Sequence, residues 1–165
     1  MCDLCKGKVP KPTDDGKTYT FKIQQGIKFH DGTPLTAHDI VATFKKIMTP
    51  PEGVPSARKT FYNMVESVSA PDDYTVVFKL KFPSGAFMPA VAAPYNWVYS
   101  KKDLDTHGYD WHVNNVNGSG PFIFVQHQPG AMVEGKKNPN YHHKGQPYLD
   151  GFKALIAKKI GRAHV

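Results

Sequence analysis

The chain has 165 residues, of which 40% are hydrophobic, 12% aromatic and 21% charged, a mixture that excludes a disordered polyelectrolyte and indicates a folded core. Its 14 glycines and 14 prolines favour many short elements joined by turns and argue against a helical bundle. The net charge of +7 permits an anionic partner, but the basic residues are scattered in pairs at most, so we expect no nucleic-acid-binding stripe.

The first half of the chain carries two strong secondary-structure signals. Alternating apolar and polar residues predict a half-buried strand over residues 18–23. Apolar residues at helical spacing predict a helix that begins at Thr36, where Asp39 can reach back as in a capping box. The helix should end before Pro50. We expect a second, short helix over residues 56–64.

Shorter signals with flanking turn residues follow along the rest of the chain. The predicted elements are an antiparallel hairpin of 65–70 and 73–82, a short helix over 87–93, a strand over 96–99, a helical turn over 101–105, a hairpin of 122–126 and 131–136, and a strand over 148–157.

No arrangement of residues in the sequence points to catalysis or to a metal centre. Gly118-Ser119-Gly120 lacks the GxSxG pattern of a nucleophile elbow, and Gly16-Lys17-Thr18 lacks the upstream glycine of a phosphate-binding loop. The eight histidines contain no HExxH spacing, and the adjacent His142 and His143 would point to opposite faces of a strand. We therefore expect no enzyme, no bound metal and no cofactor.

Five ordered segments resemble the family 5 extracytoplasmic solute-binding proteins, which are the peptide, oligopeptide and nickel receptors of ABC importers. The segments are residues 15–23, 26–40, 72–78, 118–122 and 138–151. Two positions depart from the family pattern: Ser119 stands where threonine is usual, and His142 stands where tryptophan is usual. The resemblance covers about residues 13–157.

The resemblance implies an α/β fold with an α+β mix of elements. It would be an incomplete first lobe of a periplasmic-binding-protein-like (type II) fold, with short helices on twisted mixed and antiparallel sheets. Residues 1–100 would form the small inserted subdomain of this lobe, truncated at its start, and residues 101–157 would return into the lobe. Residues 158–165 would be a non-native tail, because codons that encode 160–165 match a common sequencing adapter.

The same resemblance implies the receptor component of an ABC importer, of which this chain would be a fragment. Such a receptor would bind peptides or similar small solutes outside the cytoplasmic membrane and deliver them to the permease subunits. It would be periplasmic or extracytoplasmic, with its signal peptide outside this chain. We expect it to be membrane-associated only through the transporter or a lost lipid anchor, and to bind no nucleic acid.

The position of ligand-contacting segments in similar receptors suggests four residues for the edge of the ligand cleft: Arg58, Tyr95, Asn96 and Trp97. The competing interpretation of Tyr95 and Trp97 is plain packing in the core. For Arg58 it is a solvated helix face.

Two further functions stay open from the sequence. A nickel or metal–chelate receptor of the same family would use His30, His38 or His142 as ligands. A basic nucleic-acid-binding module belongs to a different class, and it would show steeply salt-dependent binding to DNA.

Overall fold

The fold was determined from a computed structural model, which describes residues 3–156. In this part of the chain the elements are, in order, β1 (Thr18–Lys22), α1 (Ala37–Met48), a 3₁₀ helix (Lys59–Tyr62), β2 (Val65–Asp72), β3 (Thr75–Leu80), α2 (Phe87–Val91), α3 (Lys101–His107), a second 3₁₀ helix (Asp110–Val113), β4 (Phe122–Gln128), β5 (Met132–Lys137) and β6 (Gly151–Leu155). None of the helices between residues 3 and 156 combines the length and apolar character that crossing a membrane requires. The predicted non-native tail, 158–165, lies outside the described residues.

The first sheet has the strand order β1-β3-β2, and both pairings are antiparallel. Its central strand places Val76, Phe78 and Leu80 on one face, where each is at most 2% exposed. The alternation of apolar and polar residues produces this face, since successive strand side chains point to opposite sides. The predicted strand at 18–23 and the predicted hairpin are confirmed.

Helix α1 covers the buried face of this sheet. Asp39 accepts hydrogen bonds from the Thr36 backbone N–H at 2.8 Å and from the Thr36 hydroxyl at 3.0 Å, and the two residues form the predicted capping box. The apolar stripe of the helix packs inward, and the ring centroids of Phe44 and Phe78 lie 4.8 Å apart in an edge-to-face arrangement. The helix ends at Met48, as expected from the following prolines.

The second sheet has the order β4-β5-β6, again antiparallel throughout. It contributes nothing to the hydrophobic core cluster of the described residues, which runs from Cys5 to Phe87 around the first sheet. Several of its large apolar side chains are exposed to solvent, namely Phe124, Val125, Phe152 and Leu155. The second sheet therefore presents an apolar surface that this chain leaves uncovered.

Two sequence predictions are wrong in their details. The expected helix over 56–64 is only the four-residue 3₁₀ helix Lys59–Tyr62. The expected strand over 96–99 forms no ladder. The segment packs instead against α1, where the Tyr99 N–H donates to the Thr43 hydroxyl at 2.9 Å.

A glycine-rich joint connects the second sheet to the first part of the chain. The His30 N–H donates to the Gly118 carbonyl at 2.7 Å, and the His30 Nε2 lies 3.1 Å from the Gly120 carbonyl oxygen. The Asn138 side chain donates to the same Gly120 carbonyl at 2.9 Å. A Cβ atom at position 118 would lie 3.4 Å from the His30 ring, which is van der Waals contact, so Gly118 packs directly against this ring.

Candidate functional site

The structure brings Arg58 beside the loop that carries Tyr95, Asn96 and Trp97, and we call these four residues the aromatic edge. Arg58 precedes the first 3₁₀ helix, and its guanidinium donates a hydrogen bond to the Tyr95 carbonyl oxygen. Tyr95 is 52% exposed and Trp97 is 68% exposed, so neither side chain is buried in the core formed by residues 3–156. Arg58 is half-buried and bonded, so it is not simply a solvated residue on a helix face.

The Asn96 side chain fixes the course of this loop. Its amide donates to the Ala90 and Val91 carbonyls at 2.6 and 3.0 Å, and its oxygen accepts from the Tyr62 hydroxyl at 3.0 Å. Burial raises the pKa of Tyr62 above its ordinary value of 10.0, although the bond to Asn96 and the charge of Arg58 oppose this shift. Tyr62 therefore remains a hydroxyl donor at neutral pH, and Asn96 acts as an anchor.

A second cation lies close to the aromatic edge. The Lys46 ammonium is 4.1 Å from the Tyr99 ring centroid and 5.1 Å from that of Tyr109, which is the geometry of cation–π contacts. Burial, followed by repulsion from Arg58, lowers the pKa of Lys46 below its ordinary value of 10.5. The sequence analysis missed Lys46, since its position in the last turn of α1 does not indicate which rings it meets.

An apolar cavity of about 310 Å³ lies beneath the loop of the aromatic edge. The first sheet, α1, the N-terminal segment and residues 88–98 enclose it, and Asn96 forms part of its wall. Its apolar lining includes Val9, Phe21, Phe44, Met88 and Val98. The volume is at the lower limit of small-molecule sites. The edge thus combines exposed aromatic faces, positive charge and an adjoining apolar space.

The histidines proposed for a metal–chelate ligand lie in different environments. His30 is bound into the glycine joint. His38 lies on the surface, with its Nε2 3.2 Å from the Asp73 carboxylate. His142 is beside His143, and their ring centroids are only 4.4 Å apart. The expectation that these two rings point to opposite faces is wrong, because residues 142–143 form a bend instead of a strand.

Comparison with known families and structures agrees with this fold. Residues 6–162 match the family described as "Bacterial extracellular solute-binding proteins, family 5 Middle". The oligopeptide-binding protein AppA of Bacillus subtilis (strain 168) is 33% identical over 145 residues, which cover 85% of this chain and 26% of that protein.

Solved structures of solute-binding proteins are similar to this chain as well. The structure of Bacillus subtilis AppA in complex with a nonapeptide superimposes with a TM-score of 0.80 at 33% identity, covering 93% of this chain and 31% of that one. The structure of AgaA from A. tumefaciens R10 in complex with agropinic acid gives a TM-score of 0.79 at 29% identity, covering 93% of this chain and 30% of that one.

The relatives are several times longer than the part of them that is matched. The chain spans 26% of the length of the curated AppA protein. The mixed helix and antiparallel sheet architecture agrees with part of the periplasmic-binding-protein-like fold of these structures. On this match over nearly its whole length, the chain belongs to the family 5 bacterial extracellular solute-binding proteins.

Proposed function

We propose that this chain is part of the receptor component of an ABC importer, which binds peptides and delivers them to permease subunits. The observation that carries the proposal is the family match over residues 6–162, together with similarity to a protein solved with a bound nonapeptide. The receptor would act outside the cytoplasmic membrane, as the family description indicates. Its role would be binding without catalysis.

The aromatic edge would form one margin of the ligand cleft. Trp97 and Tyr95 would provide flat apolar faces for peptide side chains, since aromatic rings contribute large contact areas at low conformational cost. Arg58 would attract the peptide carboxylate, and its remaining N–H groups are suited to binding one. Asn96 would hold the loop in place through its bonds to the α2 carbonyls.

We also propose the domain division that the sequence predicted. Residues 1–100 would belong to the small inserted subdomain, and residues 101–157 would return into the larger part of the lobe. The separation of the two sheets on either side of residue 101 supports this division. The uncovered apolar side chains of the second sheet would be covered by the rest of the lobe.

A chimeric receptor tests the proposed role of the aromatic edge. Residues 6–156 of this chain would replace the matching segment of Bacillus subtilis AppA, and the nonapeptide would be titrated calorimetrically. We expect Arg58→Ala to weaken binding by about 10-fold to 100-fold, the effect of losing a hydrogen bond to a charged group. Trp97→Ala should cost about tenfold or more, as aromatic contacts in binding sites commonly do.

Two matched substitutions control for general effects. Lys59 is exposed and adjacent to Arg58, and Phe61 is 55% exposed, similar to the aromatic residues of the edge. Lys59→Ala and Phe61→Ala should leave the affinity within about twofold, because neither belongs to the aromatic edge. Equal losses in the control and edge variants, or full affinity in both edge variants, would exclude the aromatic edge from the ligand site.

A further inference from the structure

A cluster of potential metal ligands is formed by residues outside the aromatic edge, although one of them, Asp3, also lines the cavity that Asn96 borders. One ligand atom from each of Asp3, His142 and His143 falls within 4.8 Å of the other two. The Asp3 carboxylate oxygen is 2.6 Å from the His143 Nε2 and 3.4 Å from the His142 Nε2. No other such group occurs among residues 3–156.

The cluster joins two segments that are distant in the sequence. Asp3 precedes a short antiparallel contact with the end of β1, in which the Gln24 N–H donates to the Leu4 carbonyl at 2.8 Å. The two histidines follow a turn in which the Asn140 N–H donates to the Asn138 side chain at 2.9 Å. Hydrogen bonds therefore fix the backbone next to each side of the cluster.

The environment of His142 is the strongest indication that the cluster can bind a ligand. Its side chain is only 3% exposed, and neither ring nitrogen makes a hydrogen bond, since the Nε2 has only the 3.4 Å contact with the Asp3 carboxylate. A buried polar atom without a partner is destabilising by about 1–3 kcal/mol, so native proteins rarely leave one. A metal ion coordinated by Nε2 would satisfy this nitrogen, since metal ligation uses the neutral imidazole lone pair.

The two ligand distances that involve Asp3 lie within 1 Å of those around a tetrahedral ion. Ligand atoms about 2.1 Å from a zinc ion lie about 3.4 Å apart at the tetrahedral angle. The separation of the Asp3 and His142 atoms already has this value, at 3.4 Å. The His143 nitrogen, now hydrogen-bonded to Asp3, would have to withdraw by less than 1 Å, and its 40% exposed side chain has room to do so.

We propose that Asp3, His142 and His143 form a binding site for a divalent transition-metal ion, with Zn²⁺ as the favoured occupant. Two imidazoles and one carboxylate are ligands that Zn²⁺ accepts, whereas Mg²⁺ and Ca²⁺ prefer sites made of oxygen atoms alone. The fourth coordination position takes water. The bound ion links the N-terminal segment to the turn after β5 and so stabilises the folded chain.

Zinc titration of the whole 165-residue chain, purified free of metal, tests the site. Affinity is measured by competition with a chromophoric chelator, and stoichiometry by calorimetry. We expect one equivalent of Zn²⁺ to bind saturably and to raise the midpoint of thermal unfolding, with no comparable response to Mg²⁺. Asp3→Asn and His143→Ala should each reduce Zn²⁺ affinity at least about tenfold.

The choice of variants separates ligation from folding. Asp3 and His143 are both well exposed, so their substitution should leave the metal-free chain folded, as circular dichroism would verify. His38→Ala is the matched control, because His38 also lies beside a surface carboxylate, that of Asp73. The control should bind Zn²⁺ like the unaltered chain.

Co²⁺ provides a readout that is independent of affinity. A tetrahedral site of two nitrogens and two oxygens should give strong visible absorption, and this absorption should be lost in His143→Ala. The proposal is overturned by an absence of saturable Zn²⁺ binding, by unaltered affinity in both ligand variants, or by an equal loss in His38→Ala.

Discussion

Removal of the Asp39 carboxylate should destabilise the chain far more than removal of the Thr36 hydroxyl. Asp39 is 7% exposed, and its two oxygens accept from different parts of the chain. One oxygen accepts from the Thr36 N–H and hydroxyl, and the other accepts from the Lys101 N–H at 2.7 Å, across 62 residues of sequence. Asp39 therefore caps α1 and also ties it to the start of α3.

The magnitude follows from the groups that lose their acceptor. Asp39→Ala deprives two backbone N–H groups of a charged partner, and each such loss costs about 1–3 kcal/mol. Water can reach the exposed Lys101, so we expect a total near 3 kcal/mol. Thr36→Ala removes only one hydroxyl contact at the helix cap and should cost about 1 kcal/mol.

Urea unfolding followed by circular dichroism measures both changes as shifts in midpoint at unchanged slope. Asp105→Ala is the control, because Asp105 is exposed and pairs with Lys101 on the surface of α3. This pair should contribute less than about 1 kcal/mol. If Asp39→Ala cost no more than Asp105→Ala, the bridging role of Asp39 would be wrong.

Three further predictions concern other parts of the chain. Burial, and then repulsion from Lys46, lowers the pKa of His112 below its usual 6.5, so the unfolded chain binds a proton at this residue before the folded chain does as the pH falls. The free energy of unfolding should therefore decline below about pH 6.5. Urea titrations at several pH values should show a smaller decline in His112→Gln. A Cβ at position 151 would lie 2.7 Å from the Gly135 carbonyl oxygen, so Gly151→Ala should lower the free energy of unfolding, measured by urea titration, by about 1–3 kcal/mol. Gly120→Ala is the control and should change this free energy little, because the space around Gly120 is open. The exposed apolar face of the second sheet should cause the chain to self-associate, and Phe152→Lys should reduce this association. Analytical ultracentrifugation that shows the unaltered chain to be a monomer would refute the prediction.

Local patterns in the sequence predicted most of the fold correctly. The cap at Thr36 and the apolar spacing from Ile40 to Ile47 depend on neighbouring residues alone, so the sequence predicted both ends of α1 accurately. The hairpin of β2 and β3 follows in the same way from alternation on either side of a turn. The prediction of a strand at 96–99 was wrong because a strand must pair with the edge of another strand, and the local sequence does not indicate whether such an edge is available.

The candidate site was less accessible to sequence reasoning. The position of the Arg58 side chain against the Tyr95 carbonyl depends on how the 3₁₀ helix packs beside the loop after α2. The contacts of Lys46 with Tyr99 and Tyr109 are likewise tertiary. The family resemblance supplied the candidate positions, and the structure supplied their exposure and partners.

Titration of the same nonapeptide into the isolated chain and into the AppA chimera tests most directly whether this chain supplies one side of a ligand cleft. Binding between two lobes buries a ligand from both sides, and one side alone loses much of the contact while the entropic cost of association remains. We therefore predict saturable binding by the chimera and no measurable heat with the isolated 165 residues. Comparable affinity in both, or a folded chimera that binds no peptide, would contradict the account.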